Sequence, residues 1–177
     1  MRSDRTAGRR VRESPEGLPG THVAGIRYGV LDQLIGYPVR RAQLLVYDDF
    51  IRSLAEWGMT PSRFSALVII ANNPGLKLTE LAAILAIARS GSVLLINTLE
   101  GASLVERRAS PTDKRAWGLY LTANGSKILD QVTAAVAEHD ARLSSVLSAP
   151  ERATLMTLLR KLARIDITPP AAGNQQE

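Results

Sequence analysis

The stretch LTELAAILAIARSGSVLLINTLEGASLVERRASPTDKRAWGLYLTANG, residues 78–125, decides the fold of this chain. Thr79 is placed to cap a short helix from Glu80 to Leu85, whose apolar face is Leu81, Ile84 and Leu85. The chain then turns at Ala86-Ile87-Ala88. Ser90 lies near the start of a second helix that carries Val93, Leu95, Ile96 and Leu99 and ends by Gly101-Ala102-Ser103. Two helices joined by so short a turn form a helix-turn-helix. Leu104-Val105-Glu106-Arg107-Arg108 alternates apolar with charged, and Trp117-Gly118-Leu119-Tyr120-Leu121 reads as a second strand after a polar turn. A hairpin directly after a helix-turn-helix is a wing.

Working outward, Thr60-Pro61 supplies an N-cap and a proline at the first helical position. They open a helix through Phe64, Leu67, Val68, Ile70 and Ala71 that Asn72-Asn73-Pro74-Gly75 closes. Before it, Ala42, Leu45, Val46, Phe50, Leu54 and Trp57 recur at helical spacing, so a long first helix is expected from about Tyr37 to Trp57. After the wing, Thr122 can cap a long helix to about Leu147, and Ala149-Pro150-Glu151 starts a last one bearing Leu155, Leu158, Leu159, Leu162 and Ile165. These terminal helices carry more apolar surface than one subunit needs, which points to dimerisation through the ends of the chain. The expected class is mainly α: a winged helix-turn-helix between long N- and C-terminal helices that form a dimerisation domain, with only the small wing hairpin adding β. The expected limits are a flexible basic arm at 1–28, dimerisation helices at 29–59 and 123–166, a DNA-binding domain at 60–122 and a flexible tail at 167–177.

Composition narrows the function. Aromatic residues make up 5% of the 177, against 45% hydrophobic residues overall, a balance that suits helices packed on helices. The formal charge of +5 draws the chain towards polyanions but does not by itself name one. Without cysteine there is no disulfide, thiolate metal site or cysteine nucleophile, and a reducing cytoplasm is the expected setting. No apolar run is long enough to span a bilayer, so no membrane partner is expected. Catalysis needs a paired acid and base, an activated nucleophile or a metal. His22 sits in the arm, and His139 lies on a long helix with Glu138 and Asp140 facing elsewhere, as an interfacial or exposed residue. No enzyme activity, metal or cofactor is expected.

The order of these pieces resembles the MarR family of transcriptional regulators. A helix-turn-helix ending in Leu99-Glu100 is followed by Leu104-Val105-Glu106-Arg107-Arg108, a Ser-Pro-Thr-Asp-Lys-Arg wing and Leu121-Thr122-x-x-Gly125. The likeness covers about Leu34 to Leu162 and aligns without a gap from Leu85 to Gly125. It departs from the family pattern at Leu94 and Thr98, which often are arginine, at Ser103, usually glycine, and at Ser110, usually aspartate. The resemblance implies a homodimer on double-stranded DNA, a pseudo-palindromic operator, and repression of nearby genes relieved by a small anionic or aromatic effector.

A recognition helix sets its N-terminal residues against base edges, which makes Arg89, Ser90, Gly91, Ser92, Val93 and Leu94 the candidates here. Arg89 either holds a guanine through two hydrogen bonds or pairs with a phosphate, and Val93 or Leu94 either touches a thymine methyl or packs in the core. Lys77 and Thr79 are candidates for phosphate contacts. The resemblance implies that Arg115, beside Lys114, reaches the minor groove while Asp113 holds the hairpin in shape. For the effector, Tyr37, Arg40, Arg41, Gln43 and Tyr47 share the first helix, and Arg40-Arg41-Ala42-Gln43 is similar to a branch of the family that responds to aromatic acids or their coenzyme A thioesters. Adjacent arginines point about 100° apart, so one is expected to hold an anion and the other to pair with Asp48, Asp49 or solvent; a solvated helix face is the alternative for either. A winged helix turned protein-interaction module is the alternative to the DNA-binding regulator.

Overall fold

A computed structural model describes residues 23, 25–109 and 117–165. The basic arm up to residue 22, the wing tip 110–116 and the tail from 166 lie outside the described residues, and with them the roles expected of Asp113, Lys114, Arg115 and Ser110. Six α-helices run α1 Gly36–Ser53, α2 Pro61–Asn72, α3 Leu78–Ile84, α4 Arg89–Gly101, α5 Ala123–Ser144 and α6 Ala149–Ala163. Three strands, β1 Leu76–Lys77, β2 Val105–Ala109 and β3 Trp117–Leu121, are interleaved with them. The chain divides into two units within α5, after Val136.

Most boundaries follow the local chemistry read from the sequence. The Thr60 hydroxyl accepts from the Arg63 N–H at 3.3 Å with Pro61 in the first turn, and Thr122 Oγ1 accepts from the Gly125 N–H at 2.8 Å. The first helix is shorter than expected. It ends at Ser53, and Ala55–Trp57 form a separate 3₁₀ turn closed by Gly58 at φ +56°. A further 3₁₀ turn, Gly29–Gln33, precedes α1.

The helix expected to be capped by Thr79 begins two residues earlier than that capping predicts. Leu76 and Lys77 pair with Leu119 and Gly118 of β3, which fixes extended backbone up to Lys77. The Glu80 carboxylate then accepts the Lys77 N–H at 2.8 Å, so helix starts at Leu78 and Thr79 lies inside the first turn. Strand β1 makes the hairpin a three-stranded antiparallel sheet of order β1-β3-β2, with Val105 opposite Leu121 and Ala109 opposite Trp117.

The core of the first unit is assembled from α1 to α5 and the sheet: Phe50, Leu54, Leu67, Ile70, Leu81, Ile96, Leu99, Leu104, Val105, Leu119 and Val132 are buried together. Two glycines set how closely its parts approach. A Cβ on Gly125 would stand 1.9 Å from the Leu104 carbonyl oxygen, so only glycine lets the first turn of α5 sit on the base of the wing. A Cβ on Gly118 would stand 2.8 Å from Gly75 Cα, so glycine there admits the β1 edge.

In the second unit, Ser148 and Glu151 form a capping box at the start of α6, and Arg152 pairs with Asp140 at 2.5 Å. Leu155, Leu158, Leu159, Leu162 and Ile165 all stand exposed on the chain. His139 is buried, not exposed.

Candidate nucleic-acid interface

Helices α3 and α4 meet at 110° across Leu85–Ala88, the angle of a helix-turn-helix. The turn is bought with strain, because Ala86 takes a left-handed φ of +52° while the Ile87 N–H bonds back to the Ala82 carbonyl at 3.1 Å. Burial along α4 has the helical period. Ser92, Ile96 and Leu99 face the core, whereas Arg89, Ser90, Gly91, Val93, Leu94 and Asn97 face outward.

That period corrects one candidate. Ser92 is fully buried and its hydroxyl donates to the Arg89 carbonyl at 2.8 Å, so it braces the first turn of α4 instead of facing a base edge. Leu94 lies at the other extreme, 70% exposed, and is not a core residue. Lys77 and Thr79 are exposed at the start of α3, but the Lys77 N–H is already taken by Glu80, which leaves its ammonium as the group free for a phosphate.

Three side chains outside the expected set, Asn97, Glu100 and Arg107, lock α4 to the wing. Arg107 on β2 donates through Nη1 to the Glu100 carboxylate and through Nη2 to Asn97 Oδ1, the latter at 2.9 Å. A guanidinium only donates, so it fixes which end of the Asn97 amide faces it. The signal available in the sequence was the three-residue spacing of Asn97 and Glu100 on one helix face, followed by an arginine in the next strand. Arg108 is occupied differently, pairing with Glu106 at 2.5 Å and lying over the Tyr120 ring at 4.8 Å. With Arg107 and Arg108 so engaged, Arg89 is the cation at the outward tip of α4. Trp117, 58% exposed at the start of β3, opens the return strand of the wing.

The five effector candidates fall into two groups on α1. Tyr37 and Arg41 lie one turn apart, with the guanidinium 5.8 Å from the ring centroid, and the Tyr28 ring packs against Tyr37 at 5.6 Å. Partial desolvation pushes the Tyr37 phenol above its usual pKa against the opposing pull of Arg41. Arg40, Gln43 and Tyr47 form the second group at i, i+3 and i+7, with Arg40 donating to Gln43 Oε1 at 2.8 Å. Asp48 and Asp49 flank Arg52, at 3.3 and 3.5 Å. Tyr28 joins the candidates from a part of the chain read as arm. Among the described residues no single helix is long and apolar enough to cross a membrane.

Known proteins share this arrangement. The model of the MarR family matches residues 57–116. The chain is 37% identical over 150 residues to a protein of Thauera aromatica named as a transcriptional regulatory protein for the hcr operon, covering 84% of this chain and 90% of that one. It is similar in structure to the transcriptional repressor CouR bound to a 23-mer DNA duplex, with a TM-score of 0.75, 38% identity and coverage of 78% of this chain and 99% of that one. CouR has also been solved with p-coumaroyl-CoA. A Mycobacterium tuberculosis protein of the same family, Rv2887, in complex with salicylic acid, superposes with a TM-score of 0.60 at 29% identity, over 73% of this chain and 96% of that one.

Proposed function

Since this chain belongs to the MarR family of transcriptional regulators, we propose that it is a homodimeric repressor that binds a pseudo-palindromic operator and lets go when an aromatic acid or its coenzyme A thioester binds. The observation that carries the reading is the outward tip of α4, where Arg89, Ser90 and Gly91 stand clear of the core on a helix held at 110° to α3. Its likeness to a repressor bound to DNA favours this reading over a protein-interaction module.

Residues 29–59 and 123–166 serve as the dimerisation part in this reading, and 60–122 as the reader. The exposed Leu155, Leu158, Leu159 and Leu162 of α6 supply apolar surface for a second copy. Arg89 meets a base edge or phosphate in the major groove, Lys77 and Thr79 meet phosphates, and Lys114 and Arg115 meet the minor groove with Asp113 shaping the wing. The protein acts in the cytoplasm, where the DNA is, and changes no covalent bond in it.

The effector reading rests on α1. Arg41 over the Tyr37 ring combines a cation with an aromatic face, and Arg40 beside Gln43 stands on the same helix as Tyr47, groups of the kind an aromatic carboxylate or a phosphorylated thioester needs. A ligand shifts DNA affinity only by its unequal affinity for the bound and free conformations. The test is release of a fluorescent operator on titration with p-coumaroyl-CoA, with p-coumaric acid and coenzyme A alone as controls. Release by an aromatic ligand, weakened in Arg40→Ala or Arg41→Ala, is the expected outcome; a complex indifferent to all aromatic acids and thioesters overturns the effector part.

A further inference from the structure

The outward stripe of α4 is short of hydrogen-bond acceptors. Ser90, Leu94 and Asn97 follow one another at i, i+4 and i+7, with Val93 beside them. The Asn97 carbonyl oxygen is engaged by Arg107, so its amide N–H₂ is the end left for another partner. The Thr98 hydroxyl donates its one proton to the Leu94 carbonyl at 2.9 Å, which leaves its oxygen only to accept, one turn beyond Leu94, and Arg107 holds one oxygen of the Glu100 carboxylate. Around Leu94 itself, beyond the Ser90 hydroxyl, the outward face offers donors from Arg89 and Asn97 and the aliphatic surfaces of Val93 and Leu94.

Base edges in the major groove differ in what they demand. Cytosine and adenine present amino donors, which a leucine side chain would strip of water without replacing the lost bond. Thymine presents an acceptor and a methyl group, which suit a donor and an aliphatic side chain. Leu94 is 70% exposed in the chain without DNA, so it has apolar surface to bury on binding.

Building on the DNA-binding reading above, we propose that Leu94 reads the C5-methyl of a thymine in each operator half-site, with Arg107 keeping the neighbouring Asn97 amide turned to donate. The operator is thus specified partly by apolar contact, and its affinity depends on a methyl group that carries no charge and makes no hydrogen bond.

The experiment selects an operator with the full chain from a random-sequence duplex pool, then replaces each thymine of the half-site in turn by deoxyuridine, which lacks only the methyl. At one position per half-site the wild type should lose about fourfold in affinity, the worth of one buried methyl group. Leu94→Ala should bind the thymine and deoxyuridine duplexes equally at that position and keep the wild-type response at the others. Because Leu94 is exposed, its substitution should leave the melting temperature unchanged. A selected half-site without thymine, equal binding of thymine and deoxyuridine throughout, or a Leu94→Ala variant that keeps the full methyl preference overturns the inference while leaving the regulator intact. A pool that enriches no sequence overturns the regulator reading itself and this inference with it.

Discussion

Replacing Gly125 with alanine tests how the reader is joined to the helix that follows it. The new Cβ would lie 1.9 Å from the Leu104 carbonyl oxygen, where an unstrained C···O contact is about 3.3 Å or longer, so α5 would have to withdraw by roughly 1.4 Å. That withdrawal breaks two bonds at the joint: the Thr122 N–H to Leu104 carbonyl at 3.1 Å, and the Thr122 hydroxyl to Ser103 carbonyl at 2.6 Å. Two net hydrogen bonds at about 1 kcal/mol each, with overpacking of about 1–3 kcal/mol, are offset by about 1 kcal/mol gained when alanine replaces glycine in a helix. The expected loss is about 2–4 kcal/mol, read from urea unfolding followed by circular dichroism at one fixed protein concentration. Gly101→Ala is the matched control, since nothing lies within 4 Å of its Cβ position and that variant should be unchanged or slightly more stable. Equal midpoints for Gly125→Ala and wild type would refute the argument that the close approach at Leu104 requires a glycine.

Other outcomes follow from the same geometry. Ser103 holds a left-handed φ of +56°, so Ser103→Gly should raise stability by roughly 0.5–1 kcal/mol, visible as a higher urea midpoint. Arg107→Ala should cost about 1 kcal/mol on the same scale by removing its bonds to Glu100 and Asn97, and should relax operator selectivity in a random-pool selection by letting the Asn97 amide turn. Hydrogen bonds from the Ser148 hydroxyl and N–H hold the Glu151 carboxyl below the usual carboxylate range. A depressed pKa stabilises the folded chain above the unfolded value and is lost as pH falls through the folded one, so the stability gap between wild type and Glu151→Gln should be present at neutral pH and close on acidification below about pH 4.

The helices and the return strand were legible because each has a local cause. Thr60-Pro61 and Thr122 announce helix starts by their own side chains, and the apolar, aromatic-rich run Trp117–Leu121 after a polar turn reads as a strand. The elements that escaped have causes distant in the chain. Strand β1 is two residues long, too short to show a period, and exists because Gly118 lets residue 75 come close; its pairing moved the start of α3 from Glu80 to Leu78. The outward face of α4 was legible except at Ser92, where a polar residue in the first turn reads as a DNA contact until the 3.6-residue period assigns it to the core with Ile96 and Leu99. The Arg107 clamp on Asn97 and Glu100 joins residues ten and seven apart across a turn; the i, i+3 spacing of Asn97 and Glu100 puts them on one helix face, but which arginine meets them depends on how the strand packs on the helix. The family tail Leu121-Thr122-x-x-Gly125 was recognisable as a pattern, and the structure supplies its reason in the contact with Leu104.

The central claim is that α4 places Arg89 on DNA of a particular sequence. It is tested most directly by fluorescence anisotropy of the full chain on the DNA upstream of its own gene and on a scrambled duplex, over a salt series, with Arg89→Ala alongside. The account predicts tight binding confined to a short pseudo-palindrome, two chains per site, affinity falling steeply with salt, and a loss of about 1–3 kcal/mol in Arg89→Ala if a base is read there, or a shallower salt dependence if a phosphate is. Equal affinity for the scrambled duplex, or an Arg89→Ala variant that matches wild type at every salt concentration, would contradict it.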